Sequence, residues 1–409
     1  MKRVLILCDL YPPAFAPRVA YLTQYLRSFG WQPIVFTEQV ETHQLFADFP
    51  IPCPVYRVGL RPERGWERAL TFALEIVAEY KERSFARTIQ SYMQEHGLMP
   101  PDAILCMTYR KFPLRSAQTL ARLWGVPWLA DCRDLVEQYS DGDFLPRPIR
   151  LGSLRLGSLE RLLARRFIHL RNRALASARG VITVSEWHRV LLSRVHPSVS
   201  IIYNGYDHKL FAPKYPSVET FRIVFTGRLL SLAMRDPSLL LEALASDELQ
   251  SLPLAVDFYT DDYSSELLRS LPAFVADPRC RIHAMVPSRQ VPSLLAEASI
   301  ILLLGNAESG ANGPNGMVST KLFEALAMQK PTLLLPDSSG EAAQILSRSG
   351  CGIASGSKEE IINFVLQHYT EWVQMGFTAA RRADDQYIQQ FSRRRQAQQF
   401  AGLLDQITE

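Results

Sequence analysis

Residues with the means to do chemistry fall at the ends of short apolar runs. The densest group is Gly305-Asn306-Ala307-Glu308-Ser309-Gly310-Ala311-Asn312-Gly313-Pro314-Asn315-Gly316, which leads into Ser319-Thr320-Lys321-Leu322-Phe323-Glu324. A glycine-rich passage from a strand end into a helix start offers unpaired backbone N–H groups, and the helix dipole adds partial positive charge. Gly313, Gly316 and Thr320 therefore sit where an anion such as a phosphate is held. Lys321 adds a full charge in the first turn, a position that the dipole alone disfavours and an anionic partner favours. Glu324 lies one turn on and shares that face, where a carboxylate can accept from two neighbouring hydroxyls. The same residues also read as a surface loop followed by an ordinary Lys–Glu pair.

Three further groups stand at strand ends. Gly227-Arg228 follows Arg222–Phe225 and Thr226, with Arg235 a short way on in Met234-Arg235-Asp236-Pro237. Glycine allows close approach of a ligand or another chain, and arginine suits paired phosphate oxygens; the alternative is a solvated loop charge. Asp9-Leu10-Tyr11-Pro12-Pro13-Ala14-Phe15-Ala16-Pro17-Arg18 is a stiff, extended exit before a helix beginning near Arg18. Asp131-Cys132-Arg133-Asp134 sets two carboxylates around an arginine, suited to hydroxyl groups or to mutual shifts of pKa, and equally to a buried ion pair.

Other signals are weaker. Asp141-Gly142-Asp143 and Asp261-Asp262 resemble metal-binding carboxylate pairs, but in polar stretches they read as solvated turns. His43, His188, His208 and His283 have no partner spacing and read as structural. No GxGxxG follows the first strand, and GxxxxGK[ST] and GxSxG are absent, which argues against a dinucleotide oxidoreductase, a P-loop enzyme and a nucleophile-elbow hydrolase.

The elements that must position these groups alternate from end to end. Val4–Cys8, Ile34–Thr37, Ala103–Met107, Trp128–Asp131, Val181–Val184, Arg222–Thr226, Ala255–Tyr259, Ile300–Leu304 and Thr332–Leu335 are apolar on both faces, as central parallel strands are. Amphipathic stretches lie between them, among them Arg18–Phe29, Trp66–Glu95, Arg115–Trp124, Ser288–Glu297 and Lys321–Met328. The pattern predicts α/β domains with doubly wound parallel sheets. It restarts after Tyr203-Asn204-Gly205-Tyr206-Asp207, so residues 1–207 are expected to form one Rossmann-like domain and 208–389 a second, facing it across a cleft. In open sheets of this kind ligands sit at the carboxyl ends of the strands.

The 409 residues are 47% apolar and 21% charged, enough for two cores without staples. A net charge of +4 is too small to argue for nucleic acid, and none is expected as a partner. Six scattered cysteines without CxxC read as buried thiols of a reducing compartment. No run is long enough for a leader or a membrane span, so the expected place is the cytoplasm. Arg147–Arg179 differs in character: nine arginines and one acidic residue, Glu160, alternate with leucine, isoleucine and phenylalanine. Such a stretch can lie on an anionic membrane surface, giving a peripheral position at the inner face, or can be a solvated helix face.

In order along the chain, Tyr11-Pro12-Pro13, Asp131-Cys132-Arg133-Asp134, Ile182-Thr183-Val184-Ser185, Tyr203-Asn204-Gly205-Tyr206-Asp207, Phe225-Thr226-Gly227-Arg228 with Arg235-Asp236-Pro237, and Thr320–Ala327 resemble the bacterial family 4 glycosyltransferases. These are retaining enzymes of GT-B fold that build surface polysaccharides. The likeness covers nearly the whole chain, including a C-terminal helix, at about 390–409, that crosses back onto the first domain. It implies a donor site for a nucleotide diphosphate-sugar, UDP-linked, with Glu324 on the ribose. Arg228, Arg235 and Lys321 would lie on the diphosphate, and Gly227, Gly313, Gly316 and Thr320 around it. Asp131, Arg133 and Asp134 would be catalytic residues on the side of a glycan or lipid-linked acceptor. The nucleotide-sugar is a substrate; no cofactor and no metal is implied. Gly316 stands where the family has a second glutamate, Ala16-Pro17 where many members have Gly-Gly, and Ala233 where a basic residue is usual. A nucleotide-sugar 2-epimerase and a non-catalytic sugar-nucleotide-binding scaffold are the alternatives.

Overall fold

Apolar runs buried on both faces require layers on both sides of a sheet, and the chain builds two such sheets. The computed structural model describes residues 1–14, 16–38, 46, 49–58, 65–138, 149–151, 154–232, 234–305, 318–336 and 339–409. The chain divides into two units: Met1–Tyr203 with Arg393–Glu409, and Asn204–Ser392.

The first unit holds β1 (Lys2–Cys8), β2 (Trp31–Thr37), β3 (Val55–Arg57), β4 (Ala103–Tyr109), β5 (Trp128–Asp134), β6 (Gly180–Thr183) and β7 (Val199–Ile201). They form one sheet in the order β3-β2-β1-β4-β5-β6-β7, parallel throughout. Successive residues of β1 serve opposite faces, as pleating demands. Val4 and Ile6 pack with Tyr21 and Trp31 and with Phe400 and Leu404 of the Arg393–Thr408 helix. Leu5 and Leu7 pack with Phe85 and Ile89 of the Tyr80–Glu95 helix and with Leu120 of Leu114–Trp124. Ala397, Phe400, Ala401 and Leu404 are the buried stripe of the last helix, at i, i+3, i+4 and i+7. Burying Phe400 or Leu404 is worth roughly 1.5–3 kcal/mol each.

The second unit holds β8 (Phe221–Thr226), β9 (Leu254–Thr260), β10 (Cys280–Ala284), β11 (Ile300–Leu304), β12 (Thr332–Leu335) and β13 (Gly352–Ala354). The order is β10-β9-β8-β11-β12-β13, again all parallel. Phe221, Ile223, Phe225, Val256, Phe258 and Leu302 make its core with Leu240, Leu244 and Val365 from covering helices. Both sheets are Rossmann-like, with a switch in strand order beside the first strand: β1/β4 in one unit and β8/β11 in the other.

Two readings of local structure need correction. Trp66–Glu95 is two helices, Gly65–Ala78 and Tyr80–Glu95, with Glu79 between them at φ 50°. The Glu75 carboxylate accepts from the Lys81 N–H at 2.8 Å and also binds Lys111, so a buried side chain satisfies the second helix's start and the first helix stops. The fourth apolar run continues past Asp131 to Asp134, because Cys132 still pairs with Thr183 of β6 and Asp134 faces Tyr109 of β4 across an irregularity at Thr108/Tyr109. Asp131 is thereby mid-strand. All six cysteines are free thiols, five of them buried, and burial pushes Cys8 and Cys132 up to about 12. No helix among the described residues is long and apolar enough to cross a membrane.

Candidate functional site

In the second unit the switch point brings together residues far apart in sequence. Gly227 directly follows β8, its N–H donates to the Tyr259 carbonyl at 2.8 Å, and its φ is +126°. A Cβ built there would stand 2.3 Å from Cε and 2.5 Å from Nζ of Lys321. That backbone conformation favours glycine, and any side chain added there would have to push the end of the lysine aside. Lys321 opens the Thr320–Met328 helix, whose N-cap Ser319 accepts the Lys321 N–H on its hydroxyl at 3.3 Å. Thr320 is the first helical residue.

The group carries an excess of positive over negative charge. Burial holds the Lys321 ammonium below its ordinary pKa; Glu324 opposes that, and Arg235 and Arg228 reinforce it. Arg235 is also held down by burial, and its Nη1 donates to the Arg228 carbonyl. Arg228 is half-exposed and contacts Asp261 at 3.1 Å. Three cations and two carboxylates, Glu324 and Asp261, thus act on one another at the carboxyl edge of the sheet. An anion entering there relieves like-charge repulsion and raises the lysine's pKa again.

Two residues of this edge escape sequence reasoning. Asp261, read as a solvated turn, caps the Asp262–Arg269 helix by accepting from the Ser264 N–H at 3.0 Å, besides holding Arg228. Thr260 ends β9 with its hydroxyl buried and without a hydrogen-bond partner. A threonine at the end of an apolar strand carries no signal of either fact. Gly313 and Gly316 lie outside the described residues, as do Ala233 and the Asp141-Gly142-Asp143 pair.

The first unit assembles a different group. Asp131 is fully buried and its two oxygens accept from Nε and Nη2 of Arg18, both at 2.8 Å. Arg18 also donates from Nη1 to the Tyr203 carbonyl at 3.0 Å and stacks 5.2 Å from the Phe400 ring centre. That is the buried ion pair, with its partner 113 positions away. Arg133 turns instead toward Asp9, which follows β1, its Nη2 lying 3.4 Å from that carboxylate. Burial works against the Arg133 charge, but Asp9, Asp134 and Asp131 outweigh it and raise its pKa. Burial raises the Asp134 carboxyl, opposed by Arg133 and Arg110 and assisted by Asp9. Arg133 Nε is buried with no partner, so an unused donor and a carboxyl of raised pKa share one place.

His188 is buried with neither ring nitrogen bonded; burial pulls it to about 4 and keeps it neutral. His283 binds Asp257 at 2.8 Å beside Arg222 and Arg281. No cluster of three or more metal-ligating side chains occurs among the described residues.

Residues 15–205, just under half of the chain, match the family model described as the glycosyl transferase 4-like domain. No curated protein matches the chain in sequence. Among solved structures, sucrose-phosphate synthase from Thermosynechococcus elongatus is 15% identical with a TM-score of 0.66, covering 99% of this chain and 99% of that one. A glycosyltransferase from Rickettsia africae is 13% identical, also at a TM-score of 0.66, covering 100% and 99%. The S. aureus MnaA structure with UDP is 14% identical at a TM-score of 0.53, covering 100% and 98%. At these identities the likeness is one of fold. The chain has the two-sheet α/β architecture of GT-B proteins, and its residues 15–205 match the glycosyl transferase 4-like domain.

Proposed function

We propose that the chain is a retaining glycosyltransferase that moves a sugar from a nucleotide diphosphate-sugar to a glycan or lipid-linked acceptor in surface polysaccharide biosynthesis. The observation that carries this reading is Lys321 lying over Gly227 at the β8/β11 switch point, with Arg228, Arg235 and Glu324 close enough to act on its charge. In transfer, the bond from the sugar's anomeric carbon to the diphosphate oxygen breaks, one to the acceptor oxygen forms on the same face, and the acceptor hydroxyl's proton passes to the departing diphosphate oxygen. Charge grows on the leaving diphosphate as the sugar becomes oxocarbenium-like, and fixed cations aimed there lower the barrier. In this reading those three side chains supply the neutralisation and no metal is assigned. Glu324 accepts from the ribose hydroxyls. Arg133 and Asp134 face acceptor hydroxyls, and Asp131, held by Arg18, positions that strand rather than touching substrate. The match of residues 15–205 to a glycosyl transferase 4-like domain supports the reaction class. UDP is the first nucleotide to try.

The test is thermal stabilisation by UDP, GDP, ADP and CMP and their common sugars, without metal. A ligand at a hundred times its Kd contributes about 2.7 kcal/mol, a plain shift in Tm. One diphosphate nucleotide should stabilise selectively, and its sugar should transfer only when acceptor is added. Conversion of the donor sugar without acceptor would instead indicate an epimerase, and binding without turnover a scaffold. No response to any nucleotide would overturn the donor site.

A further inference from the structure

The second unit carries a cavity at the edge of its sheet opposite to Gly227 and Lys321. Its volume is about 450 Å³, and it lies where β8, β9 and β10 begin, lined among others by Glu219, Thr220, Pro253, Pro278, Arg281 and Trp372. β8 runs from Phe221 to Thr226, so roughly 20 Å of strand separates this edge from the other. Small-molecule sites are clefts of about 300–1,000 Å³ with an apolar wall and a few fixed polar groups.

The wall is Trp372 with the two prolines. The indole Nε1 donates to the Val218 carbonyl at 2.9 Å, and the rings of Phe221 and Tyr369 stand 6.0 and 5.5 Å from it, centre to centre. Pinned in this way, the half-buried indole keeps one orientation. Arg281 is fixed as well. Its Nε and Nη2 donate to the fully buried Asp257 carboxylate at 2.8 and 3.1 Å, which leaves Nη1 uncommitted among the described residues. Glu219 and Thr220 are exposed, and neither side chain is bound to another described residue. Arg279, beside them, is spent on Asp277 and on the Leu244 and Leu249 carbonyls.

We propose that this cavity binds a neutral saccharide, its ring C–H bonds against Trp372 and the prolines and its hydroxyls shared among the Glu219 carboxylate, the Thr220 hydroxyl and Arg281 Nη1. Charge selects this occupant. An anionic ligand would meet Glu219 and a cationic one Arg281, whereas a polyol uses acceptor and donor together. The negative face of an indole suits the weakly positive C–H bonds of a sugar ring. Under the transfer reading the occupant is a sugar unit of the acceptor or of the product, held away from the donor residues. The choice of a saccharide itself does not depend on that reading.

The test is saturation-transfer NMR titration of the full chain with maltose, cellobiose and diacetylchitobiose, and with galacturonic acid as the anionic comparison. Variants are Glu219→Ala, Arg281→Met and, in the first unit, Arg133→Met, with melting curves as the check on folding. Glu219 has no partner to lose, and Asp257 keeps Arg222 and His283 when Arg281 is replaced. At least one disaccharide is expected to bind with a Kd of about 1 mM. Glu219→Ala and Arg281→Met should each weaken it about tenfold, and Arg133→Met should leave it unchanged. Absence of binding by all three disaccharides would overturn the proposal. So would loss of binding in Arg133→Met but not in Glu219→Ala, since the sugar would then sit in the first unit. Galacturonic acid bound more tightly than every disaccharide and lost in Arg281→Met would make the cavity an anion site instead. Nucleotide stabilisation, measured on the same samples, reports the donor site separately and should be untouched by Glu219→Ala, so failure of one reading is distinguishable from failure of the other.

Discussion

Lys321 lies across the backbone of Gly227, so close that a methyl group on the glycine would stand 2.3 Å from the lysine's Cε. Ninety-four positions separate the two residues (321 − 227), and the pairing of β8 with β11 brings them together. Replacing Gly227 with alanine must displace the lysine and strain a backbone at φ +126°. Gly227→Ala is expected to cost about 1–3 kcal/mol of stability and to weaken nucleotide diphosphate binding by about tenfold or more. Denaturant unfolding and titration calorimetry check the two effects; unchanged affinity would remove Lys321 from the anion site.

Lys321 and Glu324 should separate when the ligand is dissected. Lys321→Met is expected to weaken inorganic diphosphate and the full nucleotide alike, by roughly ten- to a hundredfold, since it removes a charge that both ligands use. Glu324→Ala should weaken only the nucleotide, because in the proposed site its partner is the ribose. Competition binding with both ligands decides it. Equal loss of both in Glu324→Ala would contradict the ribose assignment.

Binding should also take up protons. Burial, Arg235 and Arg228 hold the unliganded Lys321 below the ordinary lysine value, with only Glu324 opposing. A diphosphate favours the protonated form and so raises that pKa. Affinity is then greatest below the depressed pKa and falls as pH rises through it. Calorimetry in buffers of different ionisation enthalpy measures the uptake, and Lys321→Met should abolish it.

Asp131 and Arg18 should behave as one unit. Asp131→Ala strands a buried guanidinium and is expected to cost about 3–5 kcal/mol, whereas Arg18→Met/Asp131→Leu should recover much of that. Unfolding curves of the two variants provide the comparison. If the stable double variant still binds and turns over donor, Asp131 has a positioning role only.

Glu82 sets a pH dependence of stability in the first unit. Its carboxylate accepts from the Ser116 N–H and hydroxyl at 3.0 Å each and lies 3.4 Å from Lys111. Burial nevertheless pushes it up to about 7, against 4.5 when exposed, with Lys111 opposing and Glu75 adding. Between those values the folded chain holds more protons than the unfolded one, so this contribution to stability declines as pH rises through the window. Glu82→Gln should flatten the decline, as melting curves from pH 4.5 to 8 will show.

Central strands were legible because burial on both faces leaves no room for polar residues: β1, β8 and β11 read directly from Val4–Cys8, Arg222–Thr226 and Ile300–Leu304. Edge strands were not. β3, β7, β10 and β13 are three to five residues long and only partly buried, so no apolar run marks them. Local groups such as Gly227-Arg228 could be found by type, but their partners could not. Arg18 with Asp131 and Asp9 with Arg133 depend on which strands lie side by side. Periodicity identified Trp66–Glu95 as amphipathic without revealing that it is two helices, or that Trp66, Leu70 and Val77 of the first meet solvent.

The helix Arg393–Thr408 completes the first unit only after the whole of the second has been made. Until then Tyr21, Leu26 and Trp31 lack Phe400 and Leu404 as cover. The second unit is one continuous stretch and needs nothing from later in the chain, so during synthesis the domain begun first is the one finished last. A nascent chain released early would keep a folded Asn204–Ser392 unit beside a first sheet with an open, adhesive flank.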